Sequence, residues 1–544
     1  QKLTFCHHEM RSELLFLCCS LLRAESFSTK SSLGSLKRAA PLQMERLINM
    51  VSGGGRAAAA VSSGPLDFSV IAAGPSWAEL EALLTATPTA QRVSAERAAQ
   101  ALGAGPAHTD AKLRLFGSTG EPRVVFYRDM AGWCPYCQKV WLLLEEKGIP
   151  YKTSKVPMRS YGDKPESFLR KVPSGMLPAI ELDGQLYTDS LAIMDLLEDT
   201  FPDTPATLPP ASDAEGVQRA KRLLKLEREL FSWWCTLTFR RTMGSGALDG
   251  FSECVDKVEA ALNENPSTPW LLDVPYGGPS FVDLQYVSHV ERMAASCQYW
   301  SGLDIRNTER WPGLERWFRA FEARPQYVAT KSDYYTHCQD IPPQYGPGVG
   351  NAKSAPIAAH IDGKNGKAWT LPLPPLTGTS TPEPYYVPAA AVSVAASAGS
   401  SLAAGVVDEE AARHEAAVRI MGNRDALLRF CCRGAGATGW KQFQAPLADP
   451  YATPTEDPAV RAGADLLLRC TVARLLATGD ESASAVAALE EALGGCVSAG
   501  TVAAGVRSSG NYLRDRIGVP RDMSFPAARQ LRAHLNWAAG ALQK

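Results

Sequence analysis

The chain has 544 residues, more than one hydrophobic core usually serves, so we expect two to four domains. Its formal net charge is −1 and its pI is near 6.8, which argues against recruitment of nucleic acid or an anionic membrane by a bulk field. Thirteen cysteines without regular spacing are typical of a reducing compartment, not of a disulfide scaffold. No apolar run reaches the roughly 18 residues of a membrane-spanning helix.

Residues 1–110 have the composition of a targeting or disordered region. Residues 1–60 are rich in Lys, Arg, Ser and Ala, as in an organelle transit peptide, and residues 14–22 resemble the apolar core of a signal peptide. Together they match the two-part address of complex plastids, so we expect a plastid (chloroplast stroma) location, with the cytoplasm as the alternative. Untranslated or disordered sequence is the other interpretation. We expect the true start upstream of this chain or at Met10, Met44 or Met50.

The most informative stretch begins with a β-branched and aromatic run at 124–127, which predicts a buried strand. The motif Cys134-Pro135-Tyr136-Cys137 then leads into an amphipathic helix that ends at Gly148. Free amides and the dipole at the helix N-terminus favour a thiolate at Cys134. Cys137 follows one turn later, where it can attack a mixed disulfide formed on Cys134. The spacing therefore predicts a redox site.

A Cys-x-x-Cys pair has two other interpretations, a zinc site and an inert structural pair. A structural zinc site needs a second pair of ligands at a plausible spacing. The later cysteines are single residues or, at Cys431-Cys432, directly adjacent, so we predict no metal site. An inert pair stays open as the alternative to redox chemistry.

The elements around this motif follow a recognisable order. After the helix, the patterns predict a strand, a short helix, two strands joined by an Asp183-Gly184 turn, and a helix capped by Asp189-Ser190. The predicted bounds are 151–156, 165–171, 179–182, 185–188 and 190–201. This order is the layout of a thioredoxin-like α/β domain.

Residues 121–202 resemble the N-terminal domain of glutathione transferases of the cysteine-type, omega-like classes. The residues that carry the resemblance are Cys134, Lys164 to Phe168, Pro173, Gly175 and Leu177-Pro178. The motif with two cysteines is the signature of glutaredoxins, whereas omega enzymes keep only the first. Cys137 is therefore a departure from the omega pattern, and it puts a route through one thiol alone in doubt.

The resemblance implies glutathione as the ligand and assigns roles by position. Pro178 is expected to be cis, and the backbone of Leu177 to pair with the cysteinyl unit of glutathione. Asp189 and Ser190 are expected to hold the γ-glutamyl group, because the helix N-terminus attracts its carboxylate and Asp189 its ammonium. Lys164 is expected near the glycine carboxylate; Pro135 and Tyr136 complete the set. The alternatives are an ordinary helix cap at Asp189-Ser190 and a solvated lysine at Lys164.

The rest of the chain is predicted to be mainly helical. The resemblance extends over 213–338 as the all-α C-terminal domain of glutathione transferases, where Ser280 and Asp283 form a capping box. A linker rich in Pro, Gly and Ala follows at 339–406, and an additional helical module of unknown role at 407–544. Its helices are predicted at about 408–430, 457–477, 481–493 and 524–542. Similar endings occur on plastid-targeted plant and algal glutathione transferase-like proteins. Within the module, alternating Arg and Asp at 512–523 favour a lock between two elements over a binding site.

The predicted function is glutathione-dependent thiol–disulfide exchange, in which Cys134 attacks a disulfide, a glutathionylated protein or dehydroascorbate. One alternative is conjugation of glutathione to electrophiles, for which Tyr127 and Tyr136 are the only nearby hydroxyl donors. Another is a non-catalytic scaffold whose C-terminal module binds a plastid protein. The expected partners are glutathione, a small-molecule or protein disulfide and a second copy of the chain, but neither nucleic acid nor a membrane.

Overall fold

The structure is a computed structural model that describes residues 74–158, 160–240, 244–378, 380–386, 407–437, 439, 446–477, 483–496 and 500–542. All described residues lie in one compact unit. The transit-like and signal-like stretches lie outside the described residues. Across the described ranges, no helix combines the length and apolar character needed to span a bilayer. The predicted domain boundaries stay predictions.

A five-stranded mixed sheet forms the centre of the first part, in the spatial order β1-β3-β2-β4-β5. β2 and β3 are parallel, with Phe126 opposite Thr153, and β2 and β4 are antiparallel, with Phe126 opposite Ile180. Apolar side chains on these central strands are fully buried, as the β-branched and aromatic run predicted. The two-residue β1 was not predicted, because it is too short to show a periodic pattern. The strands are β1 Leu113–Arg114, β2 Val124–Asp129, β3 Tyr151–Val156, β4 Ala179–Leu182 and β5 Gln185–Thr188.

Three helices, α3 to α5, accompany the sheet, and α1 and α2 precede it in the described part of the chain. The crossover between the parallel strands β2 and β3 is α3, which begins directly after Cys134 and ends at Gly148, a residue in the left-handed conformation with φ 64°. Strands and helices follow the thioredoxin-like order that the sequence predicted. The bounds are α1 Trp77–Thr85, α2 Pro88–Ala101, α3 Pro135–Lys147, α4 Glu166–Lys171 and α5 Ser190–Thr200.

An all-helical part follows, built around one buried helix, α8. Its predicted capping box is present, because the Ser280 hydroxyl accepts from the Asp283 amide and the Asp283 carboxylate accepts from the Ser280 amide. Asp283 also accepts from the Trp317 indole at 2.8 Å, which places that tryptophan in the core. The helices are α6 Ala214–Phe239, α7 Gly244–Asn263, α8 Phe281–Ser296, α9 Pro312–Glu322, α10 Pro325–Val328 and α11 Tyr334–Tyr345, with a π-helical turn at Cys297–Ser301.

The C-terminal part forms a second hydrophobic core that also takes in α1, whose Leu80 is fully buried there. α17 was not predicted, because its glycines and serines weaken the helical pattern. The structure explains the glycines: a Cβ on Gly505 would lie 2.8 Å from Val460, and one on Gly510 3.0 Å from Leu467, so both let α17 pack closely on α15. The helices are α12 Ala355–Ile361, α13 Glu409–Gly422, α14 Arg424–Cys431, α15 Pro458–Leu476, α16 Ala483–Cys496, α17 Thr501–Arg514 and α18 Phe525–Ala541, with a 3-10 turn at Cys432–Ala435.

Two buried carboxylates on or beside α11 tie distant parts of the chain together. Asp333, which caps α11, accepts from Arg532 of α18 at 2.5 Å, and the two side chains are 0% and 2% exposed. Asp340 accepts from the Tyr161 hydroxyl at 2.5 Å, which joins α11 to the loop after β3. Burial raises the pKa of Asp340 to about 7, and the charge of Asp129 adds to this effect.

Arg532→Met is expected to lower the free energy of unfolding by about 3–5 kcal/mol, because it leaves the buried Asp333 carboxylate without its cation. The matched control is Arg123→Met, since Arg123 pairs with Asp183 on the surface, where the side chains are 50% and 54% exposed. That change should cost much less, because a solvated surface pair is screened by water and salt. Urea unfolding measures both variants, and equal costs would show that the buried pair does not hold α18 in place.

Asp340→Asn is expected to change the pH dependence of stability. The folded carboxyl has its pKa raised to about 7, so its contribution to stability is present at about pH 4 and below and is lost as the pH rises through about 7. The variant does not titrate there, so its stability relative to the wild type should rise across that interval and then level off. Asp183→Asn is the control, because Arg123 lowers the pKa of Asp183, so the stability difference for that variant should be flat between pH 4 and 8 and change only below about pH 4. A flat difference for Asp340→Asn between pH 4 and 8 would contradict the assignment.

Candidate active site

Cys134 occupies the N-cap position of α3, directly after the loop that leaves β2. Its side chain makes no capping hydrogen bond, it is a free thiol, and it is 8% exposed. Pro135 is the first helical residue and lacks an amide proton, so the amides that follow it are the ones aimed at the cap. This position is suited to stabilising a thiolate by the helix N-terminus.

Cys137 lies one turn further along α3 and is 1% exposed. Burial raises the pKa of the Cys137 thiol well above its ordinary value, and the neighbouring Cys134 and the Asp129 carboxylate raise it further. Cys137 therefore holds its proton at neutral pH. The two thiols of the motif have different surroundings, and Cys134 is the one that a substrate can reach.

The loop before Cys134 is fixed through the main chain of Trp133. The Trp133 amide donates to the Asp129 carboxylate at 2.7 Å, and the Trp133 carbonyl accepts from Arg292 of α8. Arg292 also donates to the Gln138 side chain at 2.8 Å, and Gln138 donates to Glu291 at 3.0 Å. All these groups are buried. The buried network connects the helical part to the residue that immediately precedes the candidate nucleophile.

The residues assigned to glutathione outside α3 lie in three connections of the same domain: after β3, before β4 and at the start of α5. The Leu177–Pro178 bond is cis, as the resemblance implied. Asp189 caps α5 with φ 73°, and its carboxylate accepts from the amides of residues 191 and 192, both at 3.0 Å. Ser190 is the first residue of α5 and is buried. Asp189 therefore does cap the helix, as one of the two interpretations held. Its carboxylate is exposed and lies beside the N-terminus of α5.

Lys164 is held in place and is not a freely solvated lysine. Its ammonium donates to the Pro157 carbonyl at 2.7 Å, and its stem lies 3.3 Å from the position of a Cβ on Gly175. Burial lowers the pKa of Lys164, and the Cys137 and Cys134 thiols oppose this effect. Lys164 thus lies on the side of the site where it contributes positive charge near both thiols.

Sequence analysis missed a second buried network beside the motif. Lys139 of α3 donates to Gln285 of α8 at 2.7 Å, and Gln285 donates to Glu227 of α6 at 3.1 Å. Glu227 contacts His289 at 2.9 Å, and the His289 ring packs edge-on against Tyr136 at 5.3 Å. Burial lowers the pKa of Lys139 to about 8. The signal in the sequence was a lysine directly before the apolar run Val-Trp-Leu-Leu-Leu, on what becomes the buried surface of α3.

Tyr127, one of the two tyrosines considered as a hydroxyl donor to glutathione, uses its hydroxyl elsewhere. It donates to Glu181 at 3.1 Å and accepts from Lys171 at 3.0 Å. Its ring packs on Phe168 of α4. These contacts hold Tyr127 between β2 and α4. Its hydroxyl is therefore engaged within the protein and is not placed to activate a ligand thiol.

Residues 133–200 match the family model described as "Glutathione S-transferase, N-terminal domain". "Glutathione S-transferase DHAR2" of Arabidopsis thaliana is 43% identical over 88 residues, which is 16% of this chain and 40% of that protein. "Glutathione S-transferase DHAR3, chloroplastic" of the same plant is 39% identical over 85 residues, 16% of this chain and 32% of that protein.

A longer match links the chain to "Glutathione S-transferase L3" of Arabidopsis thaliana, which is 29% identical over 205 residues, 37% of this chain and 79% of that protein. The match to the first two relatives spans less than half of their length. Together with the sheet and the buried α8, these matches establish the architecture. The chain carries the glutathione S-transferase fold, in which a thioredoxin-like N-terminal domain is followed by a helical C-terminal domain, with further helices beyond them.

Proposed function

We propose that this chain is a glutathione-dependent thiol transferase of the cysteine type, acting through a mixed disulfide on Cys134. Its substrates are disulfides, glutathionylated molecules or dehydroascorbate. The observation that carries the proposal is a free Cys134 thiol at the N-cap of α3, with Cys137 one turn away on the same helix. A serine or tyrosine at the cap would favour conjugation, whereas a cysteine there favours reduction.

The reaction begins when the Cys134 thiolate attacks one sulfur of the substrate disulfide. The substrate S–S bond breaks, a mixed disulfide forms on Cys134, and the departing thiolate takes up a proton from water. Glutathione thiolate then attacks the mixed disulfide and releases Cys134. Alternatively, Cys137 loses its proton and attacks Cys134, which gives an internal disulfide that two glutathione molecules reduce. Because burial raises the pKa of Cys137, we expect the route through glutathione to be the faster one.

Glutathione is placed by the groups around the thiol. The N-terminus of α5, where Ser190 is the first residue, attracts the γ-glutamyl carboxylate, and the Asp189 carboxylate attracts the γ-glutamyl ammonium. The backbone of Leu177, before cis-Pro178, pairs with the cysteinyl unit, and Lys164 supplies charge for the glycine carboxylate. The remaining members of the proposed site are Pro135 and Tyr136.

The relatives named glutathione S-transferase DHAR2, DHAR3 and L3 support glutathione as the thiol of this reaction, and the name of DHAR3, which is called chloroplastic, supports a plastid location. We also propose a homodimer, a state common among proteins of this fold. Conjugation is less well supported, because the Tyr127 hydroxyl is engaged by Glu181 and Lys171.

Cys134→Ser is expected to reduce thiol transfer to the uncatalysed rate, because a serine hydroxyl neither ionises at neutral pH nor forms a disulfide. Cys137→Ser should keep a large part of the activity through the glutathione route. The control is Cys254→Ala, since burial raises the pKa of Cys254 to about 12 and leaves that thiol unreactive. Turnover of a glutathionylated peptide measures all three variants. Full activity of Cys134→Ser would exclude the mechanism and favour the scaffold alternative.

Asp189→Asn is expected to weaken glutathione binding about tenfold, through loss of one charge-assisted contact. Stability should change little, because asparagine also caps helices and tolerates the φ of 73°. Calorimetric titration with S-methylglutathione, which has no free thiol, separates binding from chemistry. Asp183→Asn is the matched control, an exposed aspartate with φ 52° in the hairpin turn. Equal affinities in the two variants would leave Asp189 as a helix cap only.

A further inference from the structure

Residues 517–522, between α17 and α18, reach back across the chain to the loop that carries Cys134. We infer that this segment, called the strap here, is a positioning element for the proposed nucleophile and acts through Trp133. The inference rests on the proposed function, because it concerns the reactivity of the same pair of thiols. It also gives a role to part of the C-terminal helical module, for which the sequence indicated none.

The strap encloses the side chain of Trp133, which is 1% exposed. The Trp133 indole donates to the Val519 carbonyl at 2.9 Å, and the Arg521 guanidinium lies 4.7 Å from the ring centroid. A Cβ on Gly518 would lie only 2.3 Å from the Trp133 ring, so the strap approaches the ring as closely as a glycine allows. The hydrogen bond, the Arg521 cation and the close packing thus all constrain Trp133, the residue before Cys134.

The strap also contacts Thr109, in the segment before β1, and Gly132 of the same loop. The Thr109 hydroxyl donates to the Pro520 carbonyl at 3.3 Å. Pro520 itself lies 3.3 Å from the position of a Cβ on Gly132, which has φ 79°. The loop from Asp129 to Cys134 is therefore covered by the strap at two successive residues, Gly132 and Trp133.

The strap is itself rigidly held. The Gly518 amide donates to the Asp522 carboxylate at 2.7 Å, and the Val519 amide donates to the Thr336 hydroxyl of α11 at 3.0 Å. The Ile517 carbonyl accepts from Arg532 at 2.8 Å. Arg521 donates to the Arg516 carbonyl at 2.6 Å and pairs with Asp522 at 2.7 Å. The Arg521 and Asp522 side chains therefore bond within the Arg/Asp run, while backbone groups of the strap join it to α11 and α18.

A fixed Trp133 has a chemical consequence for the dithiol. When glutathione disulfide oxidises the pair, a Cys134–Cys137 bond forms, two glutathione thiols are released, and the two thiol protons of the protein end on them. The equilibrium depends on how often the two sulfurs meet. Holding the loop raises the effective concentration of the Cys134 sulfur at Cys137. A chain with a loosened loop should therefore form the internal disulfide less readily.

The test uses the full chain and two variants at the contact. Trp133→Phe keeps a ring but removes the indole donor, and Gly518→Ala pushes the ring away from the strap. Each protein is equilibrated in glutathione buffers and trapped with an alkylating reagent, and the peptide with Cys134 and Cys137 is quantified by mass spectrometry. The midpoint ratio [GSH]²/[GSSG] should fall about fivefold in both variants, the effect of one lost hydrogen bond.

The matched control is Trp537→Phe, which removes an indole bond of 2.9 Å to Glu490 in the same module without touching the strap or the loop. Its midpoint should equal that of the wild type. Wild-type midpoints in both folded contact variants would overturn the inference. Arg521→Met replaces either variant that fails to fold.

A second measurement separates this inference from the proposed function. Alkylation of Cys134 by iodoacetamide at about pH 10, where an ordinary thiol is ionised, reports access to the sulfur alone. It should be faster in the contact variants than in Trp537→Phe, because Cys134 is only 8% exposed when the loop is held. A wild-type chain that forms neither a glutathione adduct nor the internal disulfide would overturn the proposed function, while unchanged alkylation would overturn the role of the strap.

Discussion

The main chain of Trp133 is the point on which the candidate site depends. Its amide and carbonyl are held by two buried ionic groups, Asp129 of β2 and Arg292 of α8. Hydrogen bonds to charged groups contribute about 1.5–3 kcal/mol each, more than bonds between neutral groups. Since Asp129 ends a central strand and Arg292 lies on the most buried helix, the sheet and the helical part together set where Cys134 stands relative to α3.

The same arrangement makes the two thiols unequal. Cys134 precedes the helix and reaches solvent, whereas Cys137 faces the core, where its thiolate would be poorly solvated and close to the Asp129 carboxylate. A site with one accessible and one buried thiol suits a reaction in which an external thiol resolves the first intermediate. The second cysteine of the motif therefore does not by itself make this a dithiol enzyme.

Local sequence patterns predicted the strands, helix ends and turns that are determined by neighbouring residues. The strand before the motif, the stop at Gly148, the capping box of Ser280 and the turn at 183–184 all follow from residues close in sequence. Contacts between residues far apart in the sequence could not be predicted from such patterns. The Lys139 network joins three helices, and the pair Asp333–Arg532 spans 199 residues, so no periodicity signals either. α17 was missed because its glycines, unfavourable locally, serve close packing on another helix.

These long-range contacts argue against regarding the C-terminal module as a separate attachment. Without it, the ring of Trp133 would lose its cover, and Asp333 would lose the cation with which it pairs, Arg532. Leaving a buried carboxylate unpaired costs more than the surface contacts of a loosely joined domain supply. The same helix, α18, supplies Arg532 both to Asp333 and to the strap carbonyl of Ile517. The Arg532 side chain therefore couples the folding of the module to the ordering of the Cys134 loop. A change in one should alter the other.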